Sequence, residues 1–170
     1  MLIALAGLPA AGKSTVAEAL GRLLPAPVVS VDPIEAALWR GGVERDQPTG
    51  LAAYLAAEAV AEGVLALGQS VIIDAVNAVE PARGQWRALA ERRGVPLAFI
   101  EVVCSDRELH RARLAARRRD IAGFYEPTWA DVERRRAEFE PWSTPHLTLD
   151  STLDPASNLE RALAHVAALR

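Results

Sequence analysis

Short apolar runs alternate along the chain with longer stretches of helical spacing. The apolar runs predict five buried strands, at residues 2–6, 28–31, 71–73, 97–103 and 147–149. The other stretches predict helices at residues 13–24, 33–40, 51–67, 82–93, 106–118, 128–139 and 155–169. Strands that alternate with helices are typical of βαβ units, in which helices cover both faces of a parallel sheet. The pattern therefore predicts an α/β fold.

Composition narrows the class of protein. The 170 residues are 51% hydrophobic and 24% charged, so we expect one domain over residues 1–170 with its own core. The net charge of -3 gives no overall electrostatic reason to bind nucleic acid or an anionic membrane. No apolar run approaches the roughly 18 residues of a membrane span, so we expect none. The single cysteine, Cys104, excludes an internal disulfide and suits a reducing cytoplasm, where we place the protein.

A phosphate-binding motif, G-x-x-x-x-G-K-S, occupies residues 7–14, between the first predicted strand and the first predicted helix. Its glycines let backbone N–H groups point at phosphate oxygens. Lys13, the one lysine of the chain, adds a point charge, and the Ser14 hydroxyl can ligate Mg²⁺. We therefore expect ATP, or else GTP, to bind with Mg²⁺ at Gly7, Pro9, Ala10, Ala11, Gly12, Lys13, Ser14 and Thr15. The alternative is a glycine-rich turn without a ligand.

Polar side chains follow the second and third predicted strands. Asp32 can accept the proton of an acceptor hydroxyl as the O–P bond forms. Its alternative role is to cap the helix predicted to begin at Pro33. Asp74 ends the third apolar run, where we expect it close to Mg²⁺ and substrate. Asn77 follows in a turn, where it either contacts substrate or bonds the local backbone.

Arginine is concentrated near the end of the helix predicted at residues 106–118. Arg113 and Arg117 share one helix face, so both guanidinium groups can close over the transferred phosphate. Arg118 and Arg119 are better explained as a solvated helix end. The cluster also fits a nucleic-acid surface, although nearby acidic residues dilute its charge.

Two aromatic residues, Trp39 and Tyr54, lie on helices after the second strand, where they would wall the acceptor side of the site. Packing in the core is the alternative for both. The three histidines show no metal-ligand spacing, and we predict structural roles for His110, His146 and His165.

With these residues together, the chain resembles the small P-loop kinases that include chloramphenicol phosphotransferase, zeta toxins, gluconate kinase and the kinase domain of polynucleotide kinase. The resemblance is carried by residues 7–14, 31–36, 71–77 and 113–117. It implies a three-layer P-loop NTPase fold with a five-stranded parallel sheet in the order 2-3-1-4-5 and a lid at about residues 106–127. It also implies that Asp32 is the base, that lid arginines contact the phosphates, and that adenine lies near Asp150 and Ser151.

One departure bears on the acceptor. Polynucleotide kinase has an arginine three residues after its base, where this chain has Glu35. We therefore expect the acceptor to be an uncharged or cationic hydroxyl compound. We expect the protein itself to be a monomer or homodimer. The leading hypothesis is an ATP-dependent kinase of a small-molecule hydroxyl. The alternatives are a kinase of a nucleoside or of a 5′-hydroxyl polynucleotide, and a nucleotide-binding module with slow NTPase activity.

Overall fold

The structure is a computed structural model that describes residues 1–118 and 121–169. Every predicted strand is present: β1 Leu2–Ala6, β2 Val28–Ser30, β3 Val71–Asp74, β4 Leu97–Val103 and β5 Leu147–Asp150. So is every predicted helix: α1 Lys13–Leu23, α2 Val31–Arg40, α3 Thr49–Ala66, α4 Glu80–Arg93, α5 Arg107–Ala116, α6 Trp129–Ala137 and α7 Pro155–Ala168. Arg119 of the arginine cluster lies outside the described residues.

The strands form one parallel sheet in the order β2-β3-β1-β4-β5, which confirms the predicted topology. The central strand β1 pairs with two neighbours, so that Leu2 lies opposite Val71 on β3 and Leu97 on β4. Because all strands run the same way, their carboxyl ends meet at one edge. The phosphate loop, Asp74 and Asp150 all lie at that edge.

The two faces of the sheet carry separate apolar cores, because successive strand side chains point to opposite faces. Leu2 and Ala4 of β1 pack on the side of α3 and α4. Ile3 and Leu5 pack on the side of α1 and α7. The result is the predicted three-layer arrangement, in which the loops after the strands lie together at the carboxyl edge of the sheet.

Helix α3 is long and apolar enough to cross a membrane by length and composition alone, which contradicts the expectation that no stretch of the chain reaches that size. In the structure its buried residues recur at every fourth position, as Ala53, Ala57, Ala61 and Leu65. They belong to one of the two cores, and the helix packs on α2, α4, β2 and β3. One face of α3 is therefore packed in the core, while most of its residues lie outside it.

Helix α2 begins earlier than predicted. Its N-cap is Ser30, and Asp32 lies in its first turn. The alternative role of Asp32 as the cap of a helix beginning at Pro33 is therefore wrong. Helix α5 begins at Arg107, one residue later than predicted, because Asp106 is its N-cap and accepts from the backbone N–H of Leu109.

Candidate active site

The phosphate loop needs glycine at both ends. Gly7 has a φ of 136° and Gly12 a φ of 108°, in a region that side chains rarely adopt. A Cβ atom at Gly7 would lie 2.2 Å from the carbonyl oxygen of Val102. The N–H of Gly7 donates to the carbonyl of Val76 at 3.0 Å, which ties the loop to the turn after β3. The loop is therefore held between the ends of β3 and β4.

Lys13 and Ser14 begin α1 directly behind the loop. The buried Lys13 ammonium donates to the carbonyl of Leu8 at 3.0 Å, so its charge lies within the loop. The Ser14 hydroxyl donates to Asp74 Oδ2 at 2.7 Å, and the Ser30 hydroxyl lies 3.3 Å from the same oxygen. Hydroxyl and carboxylate oxygens are ligands that Mg²⁺ prefers, so these groups fit that ion.

The remaining Mg²⁺ ligands would have to come from nucleotide and water. Within the described residues, no group of three His, Cys, Asp or Glu side chains could hold a metal ion. Mg²⁺ usually keeps several waters and is bound through one or two carboxylates and substrate phosphates. The Ser14 and Asp74 pair agrees with that pattern.

A cavity of about 670 Å³, which we call the nucleotide cavity, lies beside the phosphate loop. Gly12, Lys13 and Ser14 form its phosphate end. Its far wall is apolar and comes from α1, α7 and the loop before α7: Val16, Ala19, Leu153, Pro155, Ala156 and Leu159. An apolar wall beyond a phosphate-binding loop suits a flat base.

Arg113 lines this cavity and is already engaged. Its Nη1 donates to the hydroxyl of Ser151 at 2.7 Å, and its Nη2 donates to the Ser151 carbonyl at 3.0 Å. Nη1 also approaches the Cys104 sulfur at 3.6 Å. Arg113 therefore holds the loop after β5 in place, and Ser151 on that loop lines the cavity.

A second cavity, of about 360 Å³, lies on the other side of the loop. We call it the acceptor cavity. It shares Lys13, Ser14 and Arg117 with the nucleotide cavity. The structure also brings four of the predicted acceptor-side residues to its wall: Asp32, Trp39, Tyr54 and Asp74. The two cavities therefore meet at two cationic side chains and one hydroxyl.

Tyr54 stays protonated in this cavity. Burial, chiefly, together with the nearby carboxylates of Asp32 and Asp74, raises its pKa to about 12. The Tyr54 hydroxyl accepts a hydrogen bond from the backbone N–H of Asn77 at 3.0 Å. Its remaining proton makes it a neutral donor next to Asp32.

Residues of the segment 121–127 line the acceptor cavity, among them Phe124, Tyr125 and Pro127. Phe124 packs against Trp39 with ring centroids 5.7 Å apart. The Arg40 guanidinium donates to the carbonyl of Ala122 at 2.6 Å, and that of Arg45 donates to the carbonyl of Gly123 at 3.2 Å. We call residues 121–127 the lid segment. It is fastened to the end of α2 and to the loop that follows.

Several predicted residues lie away from the cavity walls. The Asn77 side chain is completely buried and bonded within the protein, so its position does not support the predicted substrate contact. Burial alone would raise the pKa of Asp150, but hydrogen bonds from Ser105 and Thr152 lower it to about 2. These bonds hold the Asp150 carboxylate against the backbone of Ser105 and Thr152, while the neighbouring Ser151 lines the nucleotide cavity.

The loop residues divide between the cavities. Ala10 and Thr15, both predicted to bind nucleotide, line the nucleotide cavity. Pro9 lines the acceptor cavity instead, and its carbonyl lies 2.8 Å from Nε2 of the buried His110. Ala11 is buried beneath the loop. His110 thus has the structural role predicted for it.

Sequence reasoning missed four charged residues of the acceptor cavity: Glu35 as a wall residue, Asp131, Arg134 and Arg135. The three consecutive arginines at residues 134–136 are a visible signal in the sequence. Nothing local shows that α6 turns two of them towards the cavity and directs Arg136 to His110. That arrangement depends on how α6 packs against α5, which it meets through the Arg107–Glu133 ion pair and the ring contact of Trp129 with His110.

The sheet order and the phosphate loop define a P-loop NTPase fold of the kind found in small P-loop kinases. The model of the AAA domain family matches residues 2–142, and the chain belongs to this family. No curated protein matches the chain in sequence.

Three solved structures share the fold over nearly their full length. A protein from Chloroflexus aurantiacus J-10-fl, whose assignment as a kinase is provisional, is 25% identical, with a TM-score of 0.72 over 96% of this chain and 97% of its own. Kti12 from Chaetomium thermophilum, solved with ADP-AlF3, is 22% identical, with a TM-score of 0.77 over 99% and 98%. A gluconokinase from Sinorhizobium meliloti 1021 is 20% identical, with a TM-score of 0.69 over 98% and 91%. These likenesses confirm the predicted fold and its resemblance to small P-loop kinases.

Proposed function

We propose that the protein transfers the γ-phosphate of ATP to a hydroxyl group of a small molecule. The observation that carries the proposal is the junction of the two cavities, where Lys13, Ser14 and Arg117 line both. A phosphoryl group at this junction touches nucleotide on one side and acceptor on the other. A gluconokinase of the same fold acts, by its name, on a hydroxyl compound, which agrees with the proposal.

On the nucleotide side, the loop amides, Lys13 and Arg117 stabilise the negative charge of the phosphoryl group as it moves. Ser14 and Asp74 would hold Mg²⁺, which supplies further neutralisation of the phosphates when bound. Arg113 is a positioning residue, because its bonds to Ser151 fix the loop that borders the nucleotide cavity.

On the acceptor side, Asp32 is the general base. The acceptor oxygen forms a bond to the γ-phosphorus while the bond from that phosphorus to the bridging oxygen of ADP breaks. The hydroxyl proton passes to the Asp32 carboxylate, and ADP leaves. Tyr54, which stays protonated, can donate a hydrogen bond to the acceptor beside Asp32.

The charge of the acceptor cavity favours a small acceptor over a nucleic acid. The cavity is lined by four cationic residues, Lys13, Arg117, Arg134 and Arg135, and by four acidic residues, Asp32, Glu35, Asp74 and Asp131. A polyanion needs an excess of positive charge along its path. The cavity volume of about 360 Å³ also suits a compound of metabolite size.

The test begins with a screen of hydroxyl-bearing metabolites and antibiotics for acceptor-dependent production of ADP. With an active acceptor, Asp32→Asn should lower turnover by about 10²-fold or more, because the carboxylate no longer takes the proton. Its affinity for ADP should stay within a few-fold of wild type. The matched control is Asp46→Asn, in an exposed loop away from both cavities, and it should keep full activity.

Other outcomes would contradict parts of the proposal. Unchanged turnover in Asp32→Asn would remove Asp32 as the base. Phosphate released as the free ion with every acceptor would favour a slow NTPase. Transfer to a 5′-hydroxyl oligonucleotide, with binding that weakens steeply with salt, would favour the nucleic-acid alternative. If calorimetry detects no binding of any nucleoside triphosphate in magnesium buffer, the whole proposal fails.

A further inference from the structure

A third cavity, which we call the flanking cavity, adjoins the acceptor cavity. It has a volume of about 500 Å³ and lies between the start of α3, the turn after β3, the first turn of α4, and α6. The two cavities share five lining residues, Gly50, Tyr54, Val76, Arg134 and Arg135. The transfer of a phosphoryl group, as described above, uses none of the space in the flanking cavity.

Most of the flanking cavity wall is apolar. Its apolar side chains include Leu51, Val76, Val79 and Pro81. Leu51 is 60% exposed although it is apolar, so its side chain is available to a ligand at this wall. Concave apolar walls with a few polar groups are the usual form of small-ligand sites. The wall therefore suits the apolar body of a molecule whose reactive end lies in the acceptor cavity.

Two cations, Arg134 and Arg135, line the flanking cavity as well as the acceptor cavity. Arg134 is held by Asp131, to which it donates at 2.7 Å. Within residues 1–118 and 121–169, the Arg135 side chain forms no hydrogen bond and no ion pair. The other polar residues of the flanking cavity are Tyr54, the exposed Glu138, and Gln85, which donates to the carbonyl of Tyr54 at 3.0 Å. Because a guanidinium is charged at any ordinary pH, Arg135 suits an anionic partner.

We propose that the acceptor is an amphipathic compound with three parts: a hydroxyl placed against Asp32, an apolar body in the flanking cavity, and one anionic group that pairs with Arg135. This inference rests on the proposed function, because it assumes that the hydroxyl reacts in the acceptor cavity. It narrows the acceptor from any small hydroxyl compound to a class defined by its apolar length and its single negative charge. It also replaces the uncharged or cationic compound expected from Glu35, because Arg135 adds a cation that the sequence did not place at this site.

Three probe compounds separate these features: 4-hydroxybutyrate, 8-hydroxyoctanoate and 1,8-octanediol. Their affinities are measured by calorimetry on the full chain saturated with ADP and Mg²⁺, so that binding does not depend on turnover. The long acid should bind about tenfold or more tightly than the short acid, because it buries several additional CH₂ groups. It should also bind several-fold more tightly than the diol, which lacks the carboxylate.

Variants assign the two preferences to the flanking cavity. Leu51→Asp should remove most of the advantage of the long acid over the short one. Its control is Leu55→Asp, one turn further along α3, at a residue that is 55% exposed and does not line the flanking cavity. Arg135→Gln should make the long acid and the diol bind equally. Its control is Arg93→Gln, at the exposed end of α4.

Three results would overturn the inference. One is equal affinity for the long and short acids, and another is an equal effect of the Leu51 and Leu55 variants. The third is no binding of any of the three probes by a protein that still binds ADP, which would leave the proposed function standing. Failure to bind ADP at all would overturn the proposed function, and this inference with it.

Discussion

At the scale of single residues, Asn77 shows how a polar side chain after a strand can serve the scaffold. It is fully buried and has a positive φ of 48°. Its Nδ2 donates to the carbonyl of Leu5 at 2.6 Å, and its Oδ1 accepts from the Trp86 indole at 2.9 Å. Its backbone N–H donates to the Tyr54 hydroxyl. Asn77 thus joins β1, α3 and α4 beneath the acceptor cavity.

We predict that Asn77→Ala lowers the free energy of unfolding by about 2–4 kcal/mol, because two buried hydrogen-bonding partners lose their bonds and alanine is strained at this φ. Asn77→Gly loses the same bonds but tolerates the φ, so it should be about 1 kcal/mol more stable than the alanine variant. Urea unfolding measures both. An alanine variant that unfolds at the wild-type urea concentration would show that this network does not stabilise the fold.

The functional residues that the sequence could predict are those fixed by local structure. Ser14 and Asp74 follow directly from a loop motif and a strand end, and the structure joins them by a hydrogen bond. Asn77 has the same kind of position, but its direction is set by Leu5 and Trp86, which are distant in sequence. Arg134 and Arg135 could not be placed for the same reason. Long-range packing decides which side of a turn or helix meets the cavity.

At the scale of elements, the lid segment and α2 together roof the acceptor cavity. The Arg45 guanidinium lies 4.9 Å from the centre of the Trp39 ring, and Phe124 packs against the same ring. Arg40 and Arg45 also bond two carbonyls of the lid segment. The lid segment, the end of α2 and the loop that follows α2 therefore support one another.

We predict that the double variant Arg40→Gln/Arg45→Gln admits water to the transferred phosphate, because each substitution removes a charge-assisted hydrogen bond to the lid segment. The ratio of free phosphate to phosphorylated acceptor should rise several-fold, and the KM for the acceptor should rise with it. Quantifying both products in one reaction measures the ratio. Arg22→Gln/Arg93→Gln removes equal charge from exposed surfaces of α1 and α4 and should leave the ratio unchanged. An unchanged ratio in the Arg40 and Arg45 variant would contradict this role of the lid contacts.

Element types were predictable because their periodicities differ, but some boundaries were not. The apolar runs of the strands and the helical spacing of α1 to α7 each repeat over several residues, so the signal accumulates. A helix start depends on one capping group. Ser105 and Asp106 are both good caps, and Asp106 takes the role in the structure. Ser30 likewise begins α2 ahead of the Asp-Pro pair that looked like its start.

At the scale of the whole molecule, the strand order brings the reactive groups together. In the order β2-β3-β1-β4-β5, the strand that leads to the loop lies at the centre. Asp74 ends the neighbouring strand β3, and Ser30 ends β2 beyond it. The nucleotide and acceptor cavities therefore form on opposite sides of one loop. Sequence periodicity predicts strands but not their order, which here came from the resemblance to P-loop kinases.

This architecture leads to a prediction about stability. A ligand that binds only the folded chain stabilises it by about 2.7 kcal/mol at a concentration of 100 times Kd. For a chain of about this length each kcal/mol corresponds to roughly 2–4 °C, so saturating ADP with Mg²⁺ should raise the Tm by about 5–11 °C. Scanning calorimetry measures the shift.

Variants divide that Tm shift between the loop and the metal ligands. Lys13→Ala should abolish most of it, because the loop loses its buried cation at the phosphates. Ser14→Ala loses a hydroxyl ligand of Mg²⁺ but no charge. Its Tm shift with ADP and Mg²⁺ should therefore equal the smaller shift that the wild type shows with ADP and EDTA. Arg93→Gln should behave as wild type with and without EDTA. A full Tm shift in Lys13→Ala would show that the nucleotide binds elsewhere. If EDTA lowers the Tm shift equally in Ser14→Ala and in the wild type, Ser14 is not a ligand of the metal.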